Sequence, residues 1–94
     1  MEVLLTDKAK EELKKLQIKN YRIDVVSNGW AGPVFGLVQG EPTEEDIVIN
    51  VGDNNFAVED YYQEVFNKFN IDYSNGFFSK GFVVYPEGQN RRGC

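Results

Sequence analysis

Between residues 21 and 58, short apolar and β-branched runs alternate with clusters of glycine, proline, asparagine and acid, and that rhythm points to a β-meander. Tyr21, Ile23 and Val25 fall on one side of a strand and Arg22, Asp24 and Val26 on the other, the period-two pattern of a half-buried strand. Ser27-Asn28-Gly29-Trp30-Ala31-Gly32-Pro33 follows, with two glycines and a proline around the only tryptophan. The backbone there either turns tightly or lies close to another group. Further strands are expected near 34–39, 47–51 and 56–58, and Gly52-Asp53-Asn54-Asn55 is the hairpin candidate between the last two.

Two segments carry helical spacing instead. Thr6-Asp7 opens a stretch in which Ala9, Leu13 and Leu16 recur with acids early and Lys14 and Lys15 late, which predicts a helix over 7–16 after a short extended lead-in. Over 59–69, Tyr62, Val65, Phe66 and Phe69 fall at i, i+3, i+4 and i+7, which predicts a second amphipathic helix against the sheet. Residues 71–73 and 77–85 read as strands, with Gly81 marking a bulge or a close backbone approach. Residues 87–94 are polar up to Cys94 and predict a mobile tail. The expected class is α+β, with short, mostly antiparallel strands and two amphipathic helices in one domain over 1–94.

Composition narrows the chemistry. The 94 residues include no histidine and one cysteine, which excludes Ser-His-Asp and Cys-His catalysis, the usual zinc sites and an internal disulfide. A net charge of -5 opposes nucleic-acid backbone contact, so no nucleic-acid partner is expected. No apolar run approaches the ~20 residues of a membrane helix and the start has no leader pattern, so neither a membrane partner nor export is expected, and the cytoplasm is the expected location. Glu41, Glu44, Glu45 and Asp46 lack the spacing and glycine of a calcium loop and read as a solvated turn. The Gly-rich segment is neither a Walker nor a dinucleotide motif, and no pair of acids stands out for acid-base work, so no enzyme is proposed.

From Asn28 to Leu37 the chain resembles the HesB/IscA family of A-type iron-sulfur cluster biogenesis proteins. The resemblance extends to Leu5-Thr6-Asp7-Lys8-Ala9, Ile71-Asp72-Tyr73, Gly81-Phe82, Pro86 and the terminal Gly93-Cys94. It implies a β-rich sandwich or pseudobarrel with flanking helices, self-association, and an iron-sulfur assembly or client protein as partner. The family's carriers use three cysteines, one in the Gly-rich loop and a Cys-Gly-Cys pair near the end. The matching positions here are Trp30, Arg92 and Cys94, so the resemblance leaves one thiol. Because clusters are commonly held by about four thiolate ligands, iron or a cluster is expected only weakly or across subunits.

Cys94 is the candidate metal ligand or redox thiol, or else a tail thiol that contacts nothing or forms an intermolecular disulfide in air. Arg91 and Arg92 favour its thiolate, whereas a neighbouring terminal carboxylate disfavours it. Trp30, between Gly29 and Gly32, reads as a docking anchor, the lid of a small pocket, or a filler of the family's ligand space. The expectation is a partner-binding or weak iron- or cluster-binding module; the alternative is a non-metal adaptor that binds a protein or a small ligand and keeps the scaffold only.

Overall fold

The computed structural model describes residues 1–30, 32–75 and 80–87. Among these the chain order is β1 (Glu2–Leu5), α1 (Asp7–Leu16), β2 (Asn20–Gly29), β3 (Gly32–Gln39), β4 (Asp46–Val51), β5 (Asn54–Glu59), a 3-10 turn (Asp60–Glu64), β6 (Lys68–Asn75) and β7 (Lys80–Glu87).

The helix is where its capping residues put it. The Thr6 hydroxyl accepts from the Ala9 amide at 3.2 Å and donates to Asp72 Oδ1 at 2.7 Å, so one side chain both starts α1 and ties it to β6. The helix ends at Gln17, whose φ of 57° is left-handed. Ala9 and Leu13 are buried by the helix, while Leu16 stays exposed at its end.

The strands form two open sheets, β1-β6-β7 and β3-β2-β5-β4. The hairpins β2–β3, β4–β5 and β6–β7 are antiparallel, whereas β1 runs parallel to β6 and β2 to β5. The second sheet therefore departs from the expected meander: β5 lies beside β2 rather than only beside its chain neighbour. Asn55, donating its amide to Lys19 O at 2.8 Å and its side-chain nitrogen to Asn20 Oδ1 at 3.0 Å, fastens that parallel seam. The β4–β5 turn is Gly52-Asp53 as expected, with Gly52 at φ 59°. Pro33 and Pro86 sit in β3 and β7, both edge strands, where a missing N–H is tolerated.

The predicted second helix over 59–69 does not form. The chain makes a 3-10 turn at Asp60–Glu64 and then enters β6, which pairs with β1 on one side and β7 on the other. Two ladders of backbone hydrogen bonds override the local helical period. The apolar residues that suggested a helix still converge: Tyr62, Phe66 and Phe69 all place their rings edge-on to Phe35, at centroid distances of 5.3, 5.9 and 5.0 Å. Gly81 is also corrected. The β6–β7 register runs through it without a shift and a Cβ there would meet no atom of the described residues within 4 Å, so among them the glycine serves its φ of 135° rather than a bulge or close contact.

The core takes residues from both sheets and the helix, with Leu13, Ile23, Phe56, Val58, Phe69 and Ile71 fully buried. Residues 77–79 of the last expected strand, and the tail beyond Glu87, lie outside the described residues. No helix among those described is long and apolar enough to cross a membrane.

Candidate functional site

Arg22 marks the end of the β2–β5 pairing, which covers only Asn20, Tyr21 and Arg22 of β2. Beyond it β2 keeps a ladder partner on one side alone among the described residues, and there β2 and β3 continue outward as a two-stranded arm ending in the pair Gly29–Gly32. Two-stranded ribbons are weak by themselves. This one is rooted by Phe35 in the aromatic cluster, and by Ile23, which is buried.

Partway along the arm the register shifts between Val25 and Ser27, leaving Val26 as the extra residue of a β-bulge. Gly36 lies under it: a Cβ at that position would stand 2.8 Å from Val26 Cγ1, so the absence of a side chain gives the bulged valine its seat. Gly32, at φ 123°, takes a backbone conformation that side-chain-bearing residues avoid. Trp30 is fully exposed at the turn, at 102% of its reference area. Val25, Val26 and Val34 are also exposed along the same arm.

At the root, Arg22 forms a clamp. Its guanidinium donates to both carboxylate oxygens of Asp46, the second at 3.2 Å, and to the carbonyl of Glu41 at 3.2 Å. Asp24 lies on its other side at 3.4 Å. The Asp46 side chain is wholly shielded from solvent and also accepts from the Thr43 amide at 2.6 Å and the Thr43 hydroxyl at 3.0 Å. The Arg22 hydrogen bond holds the Asp46 carboxyl below the usual carboxylate range, with the Thr43 donors adding to it against the cost of burial. Asp46 in turn raises the Arg22 pKa. Of the acidic run, Glu41, Glu44 and Glu45 are exposed as expected, but Asp46 turns inward.

The structure thus brings Gly29, Trp30 and Gly32 together at the end of the arm. Arg92 and Cys94 lie outside the described residues. Among those described, no three His, Cys, Asp or Glu side chains are grouped to hold a metal. Two features escaped the sequence reading, the exposed valines and the Arg22 clamp. The Val25-Val26 doublet, which breaks the period-two pattern just before Ser27, was the available sign of the bulge.

The geometry is that of a HesB/IscA-like fold. The structure of IscA with a [2Fe-2S] cluster superimposes at a TM-score of 0.70, with 22% identity over 89% of this chain and 84% of that one. Escherichia coli SufA, involved in the biosynthesis of iron-sulfur clusters, matches at a TM-score of 0.69, with 20% identity over 98% of this chain and 87% of its own. A protein from Aquifex aeolicus, solved in solution, gives a TM-score of 0.60, with 27% identity over 86% of this chain and 87% of its own. No protein-family model and no curated protein sequence matches the chain.

Proposed function

We propose that this chain is a HesB-like protein of iron-sulfur cluster biogenesis that acts through contact with an assembly or client protein, its docking element being the β2–β3 arm. The observation that carries the reading is Trp30, fully exposed at the end of an arm whose valines are exposed too. A large amphipathic ring in that position is the side chain type that anchors interfaces. The fold it shares with IscA and SufA supports the connection to cluster biogenesis.

The donor set does not fit a cluster held by one chain. A cluster takes about four ligands, mostly thiolates, and this sequence has one cysteine and no histidine. Indole is no ligand for iron, so Trp30 adds nothing to the count. Self-association would bring two Cys94 thiolates, still short of a full set. We therefore assign the chain a partner-binding role rather than that of a cluster carrier acting as a single chain, and propose the cytoplasm as its location.

Trp30 is the only tryptophan, so its fluorescence reports this one site. Titration with purified iron-sulfur scaffold and apo-client proteins should shift its emission to the blue. Trp30→Ala should keep the far-ultraviolet circular dichroism spectrum and weaken binding, measured by calorimetry, by about ten-fold or more. Equal affinity in the two proteins would remove Trp30 from the interface. In parallel, anaerobic incubation with iron and sulfide should leave less than a stoichiometric, chelator-labile load that disappears in Cys94→Ser; a stable brown holoprotein would overturn the assignment.

A further inference from the structure

A cleft of about 620 Å³ opens where α1, the Gln17–Lys19 link and the Gly52-Asp53 turn meet, and it shares no lining residue with the β2–β3 arm. Its floor is apolar, from the half-buried Leu5, Ile18 and Val51; its rim carries Lys10, Lys14 and Lys19. Lys10 and Lys14 stand one helical turn apart, so two like charges share one face of α1, an arrangement that disfavours the helix.

In a chain of net charge -5, this concentration of cations is unusual. Arg22, Lys15 and Lys68 have carboxylate partners. Lys10, Lys14 and Lys19 make no ion pair among the described residues, and Asp53 is the one acid in the lining. The walls are fixed: Asn54 Nδ2 donates to Ile18 O at 2.9 Å, and the Asn55 amide to Lys19 O at 2.8 Å. The cleft's size falls within the roughly 300–1,000 Å³ of small-molecule sites.

We propose that this cleft binds a small amphipathic anion, with an apolar body over Leu5, Ile18 and Val51 and a carboxylate or phosphate head among Lys10, Lys14 and Lys19. The lysines supply charge from flexible stems, and the apolar floor supplies the area that bare phosphate cannot use. This site is independent of the partner-docking reading.

Amide chemical shifts of the intact chain would be followed during titration with decanoate, decyl phosphate, decanol and inorganic phosphate, each below its aggregation limit. The amphipathic anions should saturate, with shifts centred on residues 13–19 and 51–54. Comparison of the two anions identifies the preferred head group. Decanol and inorganic phosphate should each bind about ten-fold more weakly or worse, and Lys10→Gln/Lys14→Gln should lose about ten-fold in affinity for the preferred anion. Added salt should weaken the anions and leave decanol unchanged. Decanol binding as tightly as decanoate, shifts centred on the arm, unsaturable binding of both anions, or undiminished binding by the double variant would each overturn the proposal.

Discussion

Asp46 shows how one residue can serve the whole site without touching it. Its carboxylate joins the 43–46 turn to Arg22, and Arg22 sits where β2 leaves the four-stranded sheet to become an arm. Replacing it by Asn removes a charged acceptor from a shielded pair and should cost about 1–3 kcal/mol at neutral pH, read from urea unfolding. Because the folded-state pKa is depressed, the stabilisation is present above the ordinary carboxylate range and is lost as pH falls through the lower folded value. The gap between wild type and Asp46→Asn should accordingly stay constant from neutral pH down to about pH 5 and close progressively below about pH 4. A gap that is unchanged at pH 2.5 would show that the charge on Asp46 contributes nothing. Sequence alone hides this residue. Its neighbours Glu44 and Glu45 do face solvent, and the partner that singles Asp46 out is 24 positions away. Tyr21 is similar: its place on the buried side of β2 was legible from alternation, but its hydroxyl, buried without a hydrogen-bond partner among the described residues, was not.

At the scale of the element, the arm depends on a bulge and a glycine acting as a pair. Val26 is the inserted residue, and Gly36 on the facing strand leaves room for both of its methyl groups, which would lie 2.8 and 2.9 Å from an added Cβ. Gly36→Val should therefore destabilise the protein by about 1–3 kcal/mol through overpacking. The double variant Val26→Ala/Gly36→Val should be more stable than Gly36→Val alone, the coupling being read from a double-mutant cycle in denaturant. Strict additivity would mean that the two positions do not share the space. Local chemistry reaches part of the way: residues 7–16 are the expected helix and the chain reverses within the Gly-rich segment, but Ser27–Gly29 and Gly32–Pro33 of that segment belong to β2 and β3 rather than to a loop. The element misread as a helix shows where local chemistry stops. Tyr62, Phe66 and Phe69 meet a helical template in sequence, and they meet the same buried cluster in space, but from a 3-10 turn and a strand. What separates the two outcomes is ladder pairing with the edge of β1, remote in the chain, and with the edge of β7, the strand that follows.

For the whole molecule, the question is what makes two open sheets behave as one body. Among the described residues they share no ladder; they meet through side chains, among them Phe35 of the four-stranded sheet against Phe69 of the three-stranded sheet. Phe69 has no exposed surface and also contacts Phe66, which completes the aromatic contact around Phe35. Phe69→Ala should cost about 3–5 kcal/mol. A cycle with Phe35→Ala should return a coupling of about 0.5–1.5 kcal/mol, as expected of an edge-to-face pair in addition to its buried area. The more telling observable is cooperativity. If the cluster joins the sheets into one folding unit, the amides of Ile23 and Phe56 in one sheet and Ile71 and Val84 in the other should exchange with the same free energy, and Phe69→Ala should lower all four together. Loss of protection confined to β6 and β7 would instead mean that the arm and its sheet stand without the second layer, and that Trp30 is presented by a smaller unit than the one described.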